Sequence, residues 1–283
     1  MSRSSKLFCD RSADSFRCAG DKNIHKLKVR DTKYELFKYK LVLRTSNFVL
    51  CAMKYRHLFF DLDHTLWDFE TNARQTLSDL YKSNALQTKG IPDFDLFFER
   101  YSYHNERLWD RYTKGFIKQE ELRWKRMWLA LLDFKLADEP LSKLLAVQFL
   151  EHLPTKKELF PYTIEILSYL KNKGYRLHLI TNGFEKVQYH KLEHSNMQPF
   201  FDVVITSEAS NSLKPNKEIF EYALEKTGAL VHESIMIGDN QDADIQGGIN
   251  AGMDTIFVNH LNVVPHVKST HVIYHLKELE NIL

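Results

Sequence analysis

Residues 59–66 read Phe59-Phe60-Asp61-Leu62-Asp63-His64-Thr65-Leu66, an apolar run that breaks into two acids and a threonine. Tyr55–Phe60 is short, apolar and followed by a polar turn, the pattern of a buried strand. Side chains two apart on a strand share a face, so Asp61 and Asp63 would point the same way if the strand continued. Two carboxylates that close, at the mouth of an apolar strand, repel and raise each other's pKa unless a cation sits between them. A strand leaving into a polar turn accommodates one Asp; it accounts poorly for two plus Thr65. The pattern points to a hard-cation site with one carboxylate free to act as nucleophile.

Outward from that stretch the chain alternates. Arg176–Ile180, Val203–Thr206, Ser234–Ile237 and Thr255–Val258 also read as buried strands. Between them lie helical stretches: Tyr162–Asn172 behind Pro161 and stopping at Gly174, Phe184–Ser195, Lys217–Thr227 between Pro215 and Gly228, and Ala243–Ala251 before Gly252. Proline ahead of a helix and glycine behind it are the expected punctuation. Strand–helix alternation predicts an α/β fold, a Rossmann-like parallel sheet that binds ligands at the carboxyl ends of its strands.

One region does not alternate. From Asp68 to Thr155 the periodicity is helical throughout, over Asn72–Ser83, Asp95–Tyr112, Lys118–Leu132 and Leu141–Leu150. This predicts an all-helical cap domain, residues 68–155, inserted into a core made of 53–67 and 156–283. A bundle inserted there would sit over the carboxyl end of the sheet.

Three later elements complete the site. Thr181-Asn182-Gly183 ends one strand and offers a hydroxyl and backbone N–H groups at a helix start, an oxyanion site. Lys214-Pro215 supplies a cation just before the next helix, and Gly238-Asp239, with Asp244 five residues on, ends another strand. Each is common alone; together they set acids, a hydroxyl and a lysine at successive strand ends in the order a phosphoryl-transfer site needs.

In order, Asp61-x-Asp63-x-Thr65, Thr181, Lys214-Pro215 and Gly238-Asp239-x₄-Asp244 resemble the four motifs of the haloacid dehalogenase-like hydrolase superfamily, and the insertion resembles its C1 cap. Ile180–Phe184, Lys214–Phe220, Gly247–Gly252 and, in the cap, Leu108–Gln119 are similar to the pyrimidine 5′-nucleotidase group. The resemblance covers about residues 54–283. It implies that Asp61 attacks phosphorus to form an aspartyl-phosphate, and that Asp63 protonates the leaving alkoxide and then activates water. It implies Mg²⁺ held by Asp61, the backbone carbonyl of Asp63 and Asp239. Thr181 and the N–H of Asn182 would bind the transferring oxygens, with Lys214 stabilising charge and Asp244 orienting Lys214 or a metal-bound water.

True dehalogenases need no metal and lack the second acid, so Asp63 favours phosphate esters. The expected substrate is a small-molecule phosphate ester, a nucleoside 5′-monophosphate first and a sugar phosphate or phosphoglycolate as the alternative. A silent binding module on the same fold would be expected to have lost Asp61, Asp63 or Lys214; all are present. His64 reads as a turn residue packing under the cap. Most cap aromatics read as bundle core, but Phe116, with Tyr112 next, is the first choice to stack on a nucleobase. His190 with His194, and His271 with His275, have zinc-like spacing but no obvious third ligand. Gly247, Gly248 and Gly252 read as close helix packing.

Composition sets the limits. The 283 residues are 43% hydrophobic and 27% charged, with a net charge of +2, which excludes global disorder and gives no reason for a nucleic-acid partner. No unbroken run of about 18 apolar residues marks a membrane span. The first 52 residues carry a net +7 and the remainder a net −5, and Cys9, Cys18 and Cys51 all lie in the first stretch. A cysteine-free body fits a reducing compartment, the cytoplasm. Residues 1–52 show no sustained periodicity; they read as a basic leader, disordered or adventitious, with organisation beginning near Met53.

Overall fold

The computed structural model describes residues 53–283 and, before them, the backbone of two short strands, β1 (Leu43–Thr45) and β2 (Phe48–Leu50). The strands pair antiparallel, Leu43 opposite Leu50, where the sequence reading expected no element. Phe-Val-Leu is a good strand sequence. The expectation of a leader otherwise lies outside the described residues. Tyr55–Leu283 is a compact unit separate from Met1–Lys54, and the site lies within it.

That unit opens with β3 (His57–Phe60). Four helices follow it in succession: α1 (Phe69–Ser83), α2 (Phe94–Thr113), α3 (Gln119–Asp133) and α4 (Glu139–His152). Three of them start on an aspartate whose carboxylate accepts a first-turn N–H: Asp68 for α1, Asp93 for α2 and Asp138 for α4. Such caps satisfy donors that the helix itself leaves unpaired.

Alternation then resumes with α5 (Thr163–Asn172), β4 (Arg176–Thr181), α6 (Glu185–His194), β5 (Val203–Thr206), α7 (Ser207–Ser210) and α8 (Lys217–Thr227). The chain finishes through β6 (Ser234–Gly238), α9 (Gly247–Asn250), β7 (Asp254–Val258) and β8 (His271–Ile273). Among the described residues, no helix is long and apolar enough to cross a membrane.

The sheet runs β5-β4-β3-β6-β7-β8, parallel throughout. Strand order reverses at β3, with β4 on one side and β6 on the other, so the end of β3 is a topological switch point. Phe59 joins Ile180, Phe220 and Met236 in one apolar cluster, while Leu58 and Phe60 join Ile166, Leu179 and Ile237 in another. Alternate residues of a strand buried on both faces must do this. The stretch expected as one helix over Ala243–Ala251 is instead a π-helical turn, Gln241–Gln246, leading into α9. Gly247 and Gly248 are in tight contact, as their pattern implied: a Cβ on Gly247 would lie 2.7 Å from the Phe220 ring, and one on Gly248 2.9 Å from Thr255.

Candidate active site

β3 ends one residue before the first acid. The N–H of Asp61 still pairs with the Ile237 carbonyl at 2.9 Å, and then the chain turns. The Leu62 carbonyl accepts from both Leu66 and Trp67. His64 takes the turn with φ +62° and sets its ring against Phe69. The strand therefore does not carry Asp61 and Asp63 out on one face. Each carboxylate meets a lysine of its own.

Lys214, 2% exposed, donates to Asp61 Oδ1 at 2.5 Å, Asp244 Oδ1 at 2.6 Å and the Ile180 carbonyl at 2.8 Å. Three partners satisfy all three ammonium protons. Burial weighs against the Lys214 ammonium, but Asp244 and Asp61 outweigh it and hold its pKa above the ordinary lysine value. Asn182 fixes the loop that carries this lysine, its side chain bonding the Lys214 N–H and carbonyl at 2.8 and 2.9 Å. Asp244 also accepts the Asn240 N–H, and the π turn aims its carboxylate back at the sheet. Such turns recur at functional sites.

Asp239 and Thr65 bond reciprocally: the Thr65 hydroxyl donates to Asp239 Oδ1 at 2.9 Å and accepts the Asp239 N–H at 3.0 Å. Carboxylate oxygens of Asp61, Asp239 and Asp244 all lie within 4.8 Å of one another. Burial first pushes the Asp61 carboxyl well above its ordinary value; Lys214 pulls the other way, and Asp244 and Asp239 add to the rise. Asp239 is pushed up to about 7, by burial and then by Asp244. Three carboxylates around one ammonium leave negative charge unbalanced, and hard oxygen donors at this spacing can hold a divalent cation.

The Asp63 carboxylate is held from α6, where Lys191 donates to Oδ1 at 2.6 Å and Gln188 to Oδ2 at 2.9 Å. Gln188 also donates to the Thr181 hydroxyl at 2.6 Å, and that oxygen accepts the Gly183 N–H as well. With its oxygen accepting twice, Thr181 keeps its own proton to donate. The sequence reading missed Gln188 and Lys191. They lie one helical turn apart on the face of α6 that packs inward, where apolar residues belong, and both are buried; polar side chains at that spacing give no sign of this in the sequence.

Phe116 does not join this group. It is 69% exposed on the loop between α2 and α3, and its N–H bonds the Arg111 carbonyl. Nearby, cap meets core: Trp109 stacks on Phe184 at 5.7 Å, and Gln119 donates to Glu208.

A family model for haloacid dehalogenase-like hydrolases matches residues 55–252. The pyrimidine 5′-nucleotidase PynA of Streptococcus pneumoniae is 31% identical over 235 residues, covering 82% of this chain and 96% of PynA. Pyrimidine 5′-nucleotidase YjjG of Escherichia coli is 30% identical over 238 residues, 82% of this chain and 99% of YjjG. The solved magnesium-bound structure of the HAD-hydrolase YfnB from Bacillus subtilis matches with a TM-score of 0.74 at 29% identity, covering 81% of this chain and 99% of that one. A family model spanning most of the folded body, and relatives alike over nearly their whole length, place this chain in the haloacid dehalogenase-like hydrolase family.

Proposed function

We propose that the chain is a Mg²⁺-dependent phosphomonoester hydrolase that passes the phosphoryl group through Asp61 and takes nucleoside 5′-monophosphates. The observation that carries this is the state of the Asp61 carboxylate. One oxygen is tied to Lys214, and the other takes no hydrogen bond among the described residues. A buried carboxylate fixed by one oxygen presents the other to phosphorus.

The free oxygen of Asp61 attacks phosphorus as the bond from phosphorus to the leaving oxygen breaks. Asp63, oriented by Lys191 and Gln188, gives that oxygen its proton. Asp63 then takes a proton from the water that attacks the aspartyl-phosphate, releasing inorganic phosphate and regenerating Asp61. Thr181 donates its hydroxyl proton to a transferring oxygen, as does the backbone N–H of Asn182. Lys214 offsets the charge that builds there, and Asp244 keeps Lys214 in position.

The donor set fits Mg²⁺, since excess carboxylate charge and oxygen ligands are what that ion requires. Asp61, Asp239 and the Asp63 carbonyl would hold it, and that carbonyl accepts no hydrogen bond among the described residues. The ion supplies positive charge that offsets repulsion between an anionic nucleophile and a phosphate dianion.

In this reading residues 68–155 act as a cap that closes over substrate. Phe116 is an exposed aromatic available to stack on the base, and a cysteine-free body suits the cytoplasm. The names of PynA and YjjG favour a pyrimidine nucleotide among phosphate esters. The test is a panel of UMP, CMP, AMP, sugar phosphates, phosphoglycolate and 2-haloacids, each with Mg²⁺ and with EDTA. Phosphate release from nucleotides that EDTA abolishes is the expected result; metal-independent halide release overturns the reading.

A further inference from the structure

Within the helical region, several buried polar groups have no match. Arg126 on α3 is 2% exposed. Its Nη1 donates to Asn105 Oδ1 on α2 at 2.9 Å, and its guanidinium lies 5.1 Å over the Phe149 ring. Its Nε and Nη2 are buried with no hydrogen-bond partner among the described residues. Tyr101 packs 5.4 Å from the same Phe149 ring, and its hydroxyl is likewise buried and unpartnered. Burial pushes that phenol up to about 12, with the nearby Arg126 charge acting against the shift.

Arg126 is near enough to the catalytic acids for its charge to act on the lysine that holds one of them. The charge of Arg126 reaches Lys191, whose ammonium pairs with Asp63 and lies 4.3 Å over the Trp67 ring. Trp67 Nε1 is a further buried donor without a partner. One orphan acceptor, Gln188 Oε1, belongs to the core side, beside Thr181 and Asp63. On the cap side the unmatched groups are N–H and O–H donors, and neither guanidinium nor indole can accept. An unmatched buried donor weakens the free fold, a charged one most. A guanidinium whose hydrogen-bonded partner is a neutral amide complements a group rich in oxygen acceptors.

We propose that Arg126 and Tyr101 form a leaving-group subsite that takes carbonyl oxygens, as on a uracil base; this rests on the phosphatase reading above. Uracil presents two carbonyl oxygens and adenine none, so the subsite selects between bases that share a ribose and a phosphate. Sites built around buried donors discriminate strongly against ligands that leave those donors unpaired.

Uridine, which lacks the phosphate, probes the subsite alone. It should bind the full-length protein by calorimetry, and Arg126→Met and Tyr101→Phe should each weaken it about tenfold or more. Without ligand both variants should melt at or above the parent's temperature, because each removes an unmatched buried group. For Arg126→Met, kcat/KM on UMP should fall about tenfold or more while phenyl phosphate stays within about twofold. Uridine that fails to bind the parent, or binds both variants equally, overturns the proposal. Equal losses on UMP and phenyl phosphate also overturn it, making Arg126 a packing residue. If the Arg126-dependent loss appears with 2-phosphoglycolate and not UMP, the subsite takes a carboxylate and the carbonyl assignment falls. A parent that hydrolyses no ester overturns the phosphatase reading, while uridine binding still decides the subsite.

Discussion

Lys191 donates to Asp63 across 2.6 Å from a buried position on α6, its ammonium lying over the Trp67 ring. The contact couples the acid of the first motif to a helix that carries none of the four motifs. Burial lowers the pKa of Lys191, with Asp63 opposing that shift. The ammonium and Gln188 together fix both oxygens of Asp63, and so the direction in which it presents a proton.

Lys191→Met keeps the apolar stem against Trp67 and leaves Asp63 held by Gln188 alone. General acid catalysis is worth about 10²–10⁴-fold, and a misdirected acid loses part of it. Turnover of UMP, whose alkoxide must be protonated, should fall at least about tenfold. In the first turnover, before the shared hydrolysis of the aspartyl-phosphate, p-nitrophenyl phosphate, whose leaving group departs as a stable anion, should lose far less. Equal losses in the single-turnover rate of leaving-group release on the two substrates would make Lys191 a packing residue only.

Metal binding should depend on pH in a defined direction. Burial and Asp244 raise Asp239 to about 7, so without a cation it keeps its proton above the ordinary carboxylate range. The fold then binds more protons than the unfolded chain between 3.8 and about 7, and this residue costs stability as pH rises through that window. A cation must displace the proton. The rise in melting temperature given by saturating Mg²⁺ should therefore be larger at about pH 8 than at about pH 6. An equal rise at both would contradict the assignment of Asp239 as a ligand.

A histidine pair at the other end of the sheet runs the opposite way. His57 Nδ1 and His178 Nε2 lie 2.9 Å apart, and His178 Nδ1 is buried without a partner among the described residues. Burial, with His57 adding to it, lowers His178 from 6.5 to about 3. The unfolded chain binds the extra proton between those values, so stability is full above the unfolded pKa and falls as pH drops. From about pH 7 to about pH 5 the loss from this residue is about 2 kcal/mol. Denaturant titrations of His178→Leu should show a pH dependence weaker by about that amount; matching slopes would refute it.

Gly238 leaves no room for a side chain, because a Cβ there would overlap the Asp244 carboxylate. Gly238→Ala should therefore swing Asp244 off Lys214 and lower kcat at least about tenfold. Gly248→Ala, which meets Thr255 and Met236 away from the acids, should cost stability with kcat nearly unchanged. Melting temperature and kcat measured together on both variants check the contrast.

What the sequence revealed follows from where the physics is local. The five apolar runs became β3 to β7 because a strand buried on both faces is a continuous apolar word. Asp61, Lys214, Asp239 and Asp244 stand together because each lies in the segment that leaves the carboxyl end of a strand of the parallel sheet. Gln188 and Lys191 were missed because polar residues at helical spacing read as a solvated face until the partner they pack against is known. Arg126 was hidden for the same reason, amid aromatics that read as bundle core. The π turn was invisible because it depends on Asn240 capping Asp242 and Ala243. Whether Phe116 reaches the site is not legible in the sequence, because pattern alone does not give the distance from such a loop to Asp61.

The central claim is that phosphate passes through Asp61. Rapid acid quench of the full-length protein during turnover of a good substrate with Mg²⁺, followed by peptide mass spectrometry, tests it most directly. One phosphoryl group should appear on Asp61, labile to hydroxylamine, accumulating in Asp63→Asn and absent from Asp61→Asn, which should not turn over. A phosphoryl group on another residue, or multiple turnover by Asp61→Asn above a contaminant control, would contradict the account.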